Sequence, residues 1–325
     1  MDIEKLFQEG FKDKTVLVTG GAGFIGSNIV DRLLEFGATV KIIDDFSEGK
    51  EENIQQVMDK IELIRGDIRD IELLRKITKG VNFVFHEAAR RSVPKSVDDP
   101  LTYNDVNVTG TLNVLLASSE NKVDRLVFAS SSSIYGEIDE KKPQAETSIP
   151  KLISPYAATK MAGEYYCRVF NETYKLPTVA LRYFNVFGPR QSLESQYAVV
   201  IPKFINCVMK DEQTPIYGDG LQSRDFTYVK NVANFNLLAA IKSEAAGQAF
   251  NIAIGQTYTL LQLVDNINKI LGKDIKPTFH PPRVGDVKYT WADMSKAKKM
   301  LGYSAEVNFF EGLKKTIEWY QKNGK

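Results

Sequence analysis

A tyrosine and a lysine four residues apart are the most informative reactive pair in this 325-residue sequence. Tyr156 and Lys160 lie in the segment SPYAATK, where Pro155 can occupy the first position of a helix. Residues four apart on a helix share one face, so the ammonium group would lie beside the phenol. A nearby positive charge stabilises phenolate and is expected to draw the tyrosine pKa from about 10 towards neutrality. Tyr156 is therefore predicted to act as a general acid and base.

Four consecutive serines, 130–133, stand upstream of this pair and directly after the apolar segment LVFA. That segment is typical of a buried strand, and ligands of open α/β sheets bind beyond the carboxyl ends of the strands. Hydroxyl groups at such a position can hydrogen-bond a reacting oxygen atom. A serine-rich turn without a ligand is the alternative interpretation.

A glycine-rich loop, TGGAGFIG at residues 19–26, follows the first predicted strand and begins the first predicted helix. Gly20, Gly23 and Gly26 would let the backbone approach a pyrophosphate, which would lie at the helix N-terminus. Asp44 stands eighteen residues after Gly26, at the end of the second strand, where it can accept hydrogen bonds from an adenosine ribose. A carboxylate there repels a 2′-phosphate, so the sequence predicts NAD rather than NADP as the cofactor.

Short apolar segments alternate with helical patterns through the first half of the chain. The predicted strands cover residues 15–19, 39–43, 61–64, 81–85 and 126–129. They are too short for helices and rich in β-branched residues, which suits strands buried on both faces. Their alternation with helices predicts βαβ units and a parallel sheet. The predicted fold class is α/β, a doubly wound parallel (Rossmann) sheet with a second, smaller mixed α/β domain.

The pattern loosens after residue 182, where prolines and glycines interrupt it. Helices are predicted near 231–242, 260–271 and 310–321, and a strand at 249–253. A short amphipathic helix is expected before residue 14. We predict a cofactor domain at 1–182 and a substrate domain at 183–325, with elements at about 223–254 packing back on the first domain.

Composition excludes several classes of function. Lys and Arg number 42 and Asp and Glu 41, and this balance argues against a nucleic acid or an acidic membrane as partner. No apolar run approaches 18 residues, so no membrane span is predicted. Two separated cysteines and two separated histidines predict neither a disulfide framework nor a zinc site. They leave a magnesium site built from carboxylates open, although no metal is predicted. With no signal peptide pattern at the N-terminus, a cytoplasmic protein is expected.

Together these motifs resemble the extended short-chain dehydrogenase/reductase superfamily, and within it the UDP-sugar 4-epimerases. The similarity covers almost the whole chain after residue 14. It is carried by TGGAGFIG, GDIRD (66–70), HEAA (86–89), SVPKSVDDP (92–100), SSSSIYGE (130–137), SPYAATK (154–160), LRYFNVFGPRQ (181–191), YAVVIPKF (197–204) and RDFTYV (224–229), in family order.

The resemblance implies roles for individual residues. Tyr156, Lys160 and Ser131 would be catalytic, with Ser131 bonded to the reacting oxygen of the sugar. The NAD site would comprise Gly20, Gly23, Phe24, Ile25, Gly26, Asp44, Asp67, Ile68, Ala88, Tyr156, Lys160 and Tyr183. The UDP-sugar would contact Ser132, Ser133, Asn185, Val199, Val200, Tyr217, Arg224, Arg283, Asp286 and Thr290. A homodimer through helices near 101–121 and 155–174 is also implied, as is a role in nucleotide-sugar and galactose metabolism.

The resemblance also distinguishes among related reactions. Nucleotide-sugar dehydratases and decarboxylases carry acidic residues where this sequence has Ser132 and Ser133, because elimination needs further proton transfers. Neutral serines favour a reaction with one acid/base group, as in 4-epimerisation of UDP-glucose to UDP-galactose. A decarboxylase, a 4,6-dehydratase and a non-catalytic NAD-binding regulator are the alternatives.

The sugar is less closely defined by the sequence. Thr290 stands where some relatives restricted to UDP-glucose and UDP-galactose carry a bulky tyrosine, so UDP-N-acetylhexosamines are expected to fit. A one-residue shift would put Tyr289 there and reverse this inference. UDP-glucuronate is a further alternative, because its epimerases also carry four serines at this strand end. Arg90 and Arg91 would meet a carboxylate or a diphosphate, or face solvent.

Overall fold

A seven-stranded parallel sheet forms the centre of the computed structural model, which describes residues 2–137, 142–192, 200–282 and 287–323. Its strands are β1 (Thr15–Thr19), β2 (Thr39–Asp44), β3 (Ile61–Arg65), β4 (Phe83–His86), β5 (Arg125–Ser131), β6 (Thr178–Tyr183) and β11 (Gln248–Ile252). Their order across the sheet is β11-β6-β5-β4-β1-β2-β3. The predicted α/β class with a parallel sheet is confirmed.

Alternate residues of the strands pack on opposite faces of this sheet. Val16 and Val18 of β1 join one apolar core, whereas Leu17 joins the core on the other face. The helices are α1 (Ile3–Phe11), α2 (Phe24–Glu35), α3 (Ile71–Ile77), α4 (Val93–Asp98), α5 (Pro100–Asn104), α6 (Thr111–Glu120), α7 (Pro155–Thr173), α8 (Val200–Met209), α9 (Val229–Ile241), α10 (Leu260–Leu271), α11 (Ser295–Leu301) and α12 (Phe309–Asn323). Helices α2 and α9 pack together on one face, and α3, α6 and α7 pack on the other. The sheet is therefore covered on both sides.

A third apolar core lies among α8, α10, α12 and short strands of the second half. These strands are β7 (Val186–Phe187), β8 (Pro215–Tyr217), β9 (Ser223–Arg224), β10 (Thr227–Tyr228), β12 (Tyr258–Thr259), β13 (Thr278–His280) and β14 (Tyr289–Thr290). β9 lies between β12 and β14, and β8 pairs with β13. Within the described residues, no helix has the length and apolar character needed to cross a membrane.

The order of the strands creates a crevice at one edge of the sheet. The chain moves from β1 outward to β2 and β3, and then returns to add β4 on the other side of β1. The loops after β1 and β4 therefore diverge at the carboxyl edge and leave a cleft between them, which is where ligands of such sheets bind.

Candidate active site

Two glycines where β1 leads into α2 have no room for a side chain. A β-carbon on Gly20 would lie 2.7 Å from the backbone nitrogen of Ala88, and the φ of Gly20 is +69°. A β-carbon on Gly26 would lie only 2.3 Å from the carbonyl oxygen of Gly20. Backbone therefore faces the cleft at the N-terminus of α2, as a bound pyrophosphate requires.

Asp44 is the last residue of β2 and lies next to the glycine loop. Its two carboxylate oxygens accept hydrogen bonds of 2.9 Å from the backbone N–H groups of Ala22 and Phe46. Burial raises the pKa of the Asp44 carboxyl, and the same two N–H groups act to lower it. Each oxygen keeps a further lone pair, so the carboxylate can still accept ribose hydroxyl groups. The donors and the glycine cradle fit a dinucleotide.

Most residues predicted for the cofactor line a single cleft, with about 840 Å³ of empty space including its open mouth. Those lining it are Gly20, Gly23, Phe24, Ile25, Gly26, Asp44, Asp67, Ile68 and Ala88. Asp67 is held by the side chain of Arg69, which lowers the pKa of the Asp67 carboxyl.

The predicted catalytic pair lies in the first two turns of α7. Ser154 caps this helix by accepting the Ala157 N–H, and Pro155 begins it as predicted. The Lys160 ammonium donates a 2.8 Å hydrogen bond to the Ala129 carbonyl and lies 5.9 Å from the centre of the Tyr156 ring. Ser131, at the end of β5, is near enough to act on the Tyr156 phenol and to lower its pKa. Helix and strand end thus bring all three predicted catalytic residues together.

The prediction that the pKa of Tyr156 is lowered is wrong for this structure. Burial raises the pKa of Tyr156, and the neighbouring Ser131 and the Arg91 charge offset this only in part. Burial also lowers the pKa of Lys160 to about 8. Loss of hydration destabilises the phenolate more than Ser131 and the Arg91 charge stabilise it.

The serine segment turns sharply after β5 into a 3₁₀ turn, Ser132–Tyr135. The Ser131 hydroxyl oxygen accepts the Ser133 N–H at 3.1 Å, which starts this turn. The Ser133 hydroxyl is buried and has no hydrogen-bond partner among the described residues. A buried hydroxyl without a partner is costly, so Ser133 is a candidate to meet a ligand.

Tyr183 lies beside Ser131, because the two residues are partners in the β5–β6 pairing. Its hydroxyl reaches Glu87 at 2.7 Å, and Glu87 lines the cofactor cleft. The sequence motifs assign no role to Glu87. A carboxyl group at the carboxyl end of a buried strand is the sequence signal that indicates one.

The loop after β4 is fixed by Asn107, which sequence reasoning also missed. Its side chain accepts the Arg90 N–H at 2.7 Å and donates to the Arg90 carbonyl at 2.9 Å. The guanidinium groups of Arg90 and Arg91 approach Glu48, at 3.8 and 3.6 Å. Both arginines therefore line the cleft next to an acidic neighbour.

The predicted substrate residues lie on elements of the second half. Asn185 follows β6 and donates from its side chain to the Thr290 hydroxyl at 2.7 Å. Thr290 and Arg224 are strand partners, and the Arg224 guanidinium donates to the Lys288 carbonyl at 3.2 Å. A hydrogen bond and a strand pairing thus link three of the predicted substrate residues, Asn185, Thr290 and Arg224.

Tyr217 lies in a neighbouring groove, stacked on His280 with ring centres 5.2 Å apart. Val200 begins α8 and is partly exposed. Val199, Arg283 and Asp286 fall outside the residues that the structure describes.

A model of the "NAD dependent epimerase/dehydratase family" matches residues 16–253. The chain is 38% identical to a putative UDP-glucose 4-epimerase of Methanocaldococcus jannaschii, over 95% of this chain and 99% of that protein.

Two solved structures are similar over nearly the whole chain. One is UDP-N-acetylglucosamine 4-epimerase from Methanobrevibacter ruminantium in complex with UDP-N-acetylmuramic acid, with 43% identity, a TM-score of 0.91, and coverage of 96% of this chain and 99% of that one. The other is UDP-glucuronic acid 4-epimerase from Bacillus cereus with UDP-glucuronic acid and NAD, with 33% identity, a TM-score of 0.87, and coverage of 95% and 99%.

Proposed function

The chain belongs to the NAD-dependent epimerase/dehydratase family, and we propose that it is a 4-epimerase of UDP-hexoses. The proposed reaction interconverts UDP-glucose with UDP-galactose, and UDP-N-acetylglucosamine with UDP-N-acetylgalactosamine, through a 4-keto sugar. NAD is the cofactor of this family, and when bound it takes up a hydride from the sugar and later returns it.

One observation carries the proposal: Ser131 acts on the pKa of Tyr156 from a strand end that continues with two neutral serines. Dehydration or decarboxylation of a nucleotide sugar would require acidic groups in that strand end. Epimerisation at C4 needs a single group that removes and restores one hydroxyl proton, and Tyr156 can supply it.

Each catalytic side chain then has a definite task. The Tyr156 phenolate would take the proton of the C4 hydroxyl as the C4 hydride leaves, and the phenol would return that proton after the keto sugar has rotated. Ser131 would hold the C4 oxygen. Lys160, fixed by the Ala129 carbonyl, would supply positive charge that favours the phenolate.

The choice of sugar is part of the proposal. Thr290 is small and is bonded to Asn185, which favours room for an N-acetyl group. The similarity to the Methanobrevibacter UDP-N-acetylglucosamine epimerase points the same way. UDP-glucuronate is the second candidate, because Arg90 and Arg91 line the cleft and the Bacillus relative is a UDP-glucuronic acid epimerase.

The test is to incubate the protein, without added cofactor, with UDP-galactose, UDP-N-acetylgalactosamine and UDP-glucuronate separately, and to identify the products by NMR. Formation of 4-epimers is expected. Tyr156→Phe should lower turnover by at least about 100-fold, because it removes the acid/base group. Tyr174→Phe, which removes an exposed hydroxyl at the end of the same helix, is the matched control. Products that are 4-keto-6-deoxy sugars or pentoses would contradict the proposal, as would near-normal turnover of Tyr156→Phe.

We further propose that the chain forms a homodimer through the helices at 101–121 and 155–174, with functional halves at 1–182 and 183–325. Exposed apolar side chains on these helices support the dimer, with Leu101 81%, Tyr165 59% and Val169 47% exposed. Sedimentation as a monomer at micromolar concentration would contradict it.

A further inference from the structure

Glu87 is a carboxyl group in the cofactor cleft to which the proposed reaction gives no task. It follows His86 at the end of β4 and lines the cleft. Its Oε1 atom lies 2.7 Å from the hydroxyl of Tyr183, which is only 8% exposed. The same hydroxyl lies 3.0 Å from Oδ1 of Asn236, a fully buried residue of α9.

The orientation of the Asn236 amide is set by its own helix. Its Nδ2 atom donates a 2.9 Å hydrogen bond to the carbonyl of Val232, one turn earlier. Turning the amide over would put its oxygen against that carbonyl oxygen. Asn236 therefore presents an acceptor, not a donor, to the Tyr183 hydroxyl.

The contacts are fully satisfied only with one proton more than the ionised side chains hold. A phenol has one proton, which can form a near-linear hydrogen bond to only one neighbour. If Glu87 were ionised, the phenol would have to share its proton between two acceptors, or one of the two short contacts would have no hydrogen bond. If Glu87 carries a proton, it donates to Tyr183, and Tyr183 donates to Asn236. Every contact is then a hydrogen bond, as buried polar groups require.

We propose that Glu87 is held as a neutral carboxylic acid, and that the loss of its proton places a negative charge beside the catalytic pair Tyr156 and Lys160. Glu87 is thus a positioning residue that acts through these two side chains. This role rests on the proposed epimerase function, whereas the protonated state rests on the hydrogen bonds alone.

The surroundings of Glu87 agree with this assignment. Burial raises the pKa of Glu87 to about 7, against the lowering effects of Tyr183 and Lys160. A charge on Glu87 raises the pKa of both Tyr156 and Lys160. The ionisable groups that face Glu87 are Tyr156 and Lys160 from α7 and Tyr183 from β6. Burial keeps the neighbouring His86 neutral, and Asn236 of α9 has no charge. The guanidinium groups of Arg90 and Arg91, in the following loop, approach Glu48.

The charge of Glu87 acts directly on Tyr156. Below about pH 7 Glu87 is neutral, so no carboxylate charge raises the pKa of the Tyr156 phenol. Above that pH the Glu87 carboxylate repels a developing phenolate and makes it harder to form. Ionisation of Glu87 therefore opposes ionisation of the catalytic tyrosine over the physiological range.

The first test reads the proton itself and needs no activity. Infrared spectra of the purified protein should contain a protonated-carboxyl band that is absent from Glu87→Gln and that disappears as the pH rises through about 7. Glu62→Gln removes an exposed carboxylate of β3 and serves as the control, without loss of this band. A spectrum in which Glu87→Gln removes no such band at about pH 6 would overturn the proposal.

The second test is the pH dependence of turnover. The side-chain amide of the Glu87→Gln variant can donate to Tyr183 as the acid does, but it stays neutral at every pH. The apparent pKa assigned to Tyr156 in kcat should fall by about half a unit to one unit, with KM changed less than about threefold. An unchanged pH profile would overturn the positioning role. If the wild-type protein converts no UDP-sugar, the proposed function fails, and the infrared titration still decides whether Glu87 holds its proton.

Discussion

Replacing Gly26 with alanine tests whether the glycine loop is a cradle for the cofactor. The added β-carbon would lie 2.3 Å from the Gly20 carbonyl oxygen and 3.0 Å from the Gly21 α-carbon. Ordinary van der Waals separation would require a shift of about 1 Å in either the loop or the start of α2.

Neither the glycine loop nor the start of α2 can move freely. Gly20 donates its N–H to the Ile43 carbonyl at 2.8 Å, and its own carbonyl accepts the Gly23 N–H at 3.0 Å. Helix α2 is anchored by Ile29 and Leu33, both fully buried. Overpacking of this kind costs about 1–3 kcal/mol. Because the strain falls on the N–H groups that would hold the pyrophosphate, the Kd for NAD should rise by about 5- to 150-fold.

Calorimetric titration of cofactor-free protein with NAD measures this change. Gly23→Ala is the matched comparison in the same loop, because its β-carbon meets only the Gly20 carbonyl oxygen, at 3.0 Å. We expect it to weaken NAD binding by less than about tenfold. The reasoning would be refuted if Gly26→Ala bound NAD as tightly as the wild type, or if Gly23→Ala were the more damaging change.

Two further predictions concern buried carboxylates. Asp44→Asn replaces an oxygen that accepts a backbone N–H with an NH₂ group that cannot accept it. The affinity for NAD should therefore fall by about 10- to 100-fold, and the preference for NAD over NADP should become smaller. Titration with both cofactors measures these changes, and an unchanged preference would contradict the prediction. Glu164→Gln leaves the Arg182 guanidinium buried without its ionic partner, and should lower the free energy of unfolding in urea by about 3–5 kcal/mol. The exposed control Glu172→Gln should change it by less than about 1 kcal/mol, and equal effects would contradict the prediction.

Features built from contiguous residues could be predicted from the sequence. The strands of the main sheet are short apolar segments whose period is local, and the predicted 15–19 segment coincides with β1 (Thr15–Thr19). The observed boundaries differ from the predicted ones where a strand continues into polar residues. β5, for example, extends to Ser131, beyond the predicted 126–129. The glycine loop and the Tyr156–Lys160 pair are likewise local, because one turn or one helix positions each of them.

Contacts between distant segments could not be predicted in this way. Glu87 follows β4, Tyr183 ends β6 and Asn236 lies in α9, and only the sheet order together with the packing of α9 brings them together. The ion pair between Glu164 and Arg182 also depends on how α7 packs against β6. No residue spacing encodes these neighbours.

The sequence by itself determined the α/β sheet, the cofactor loop and the residue types of the proposed acid/base pair, since these depend on local periodicity and residue type. The tertiary structure alone decided the electrostatics of the site. The sequence predicted a lowered pKa for Tyr156, yet its pKa is raised, and a carboxyl group with a pKa of about 7 lies near Lys160. The reason is that a pKa depends on how far the fold removes a group from water, and burial is a property of the packed chain.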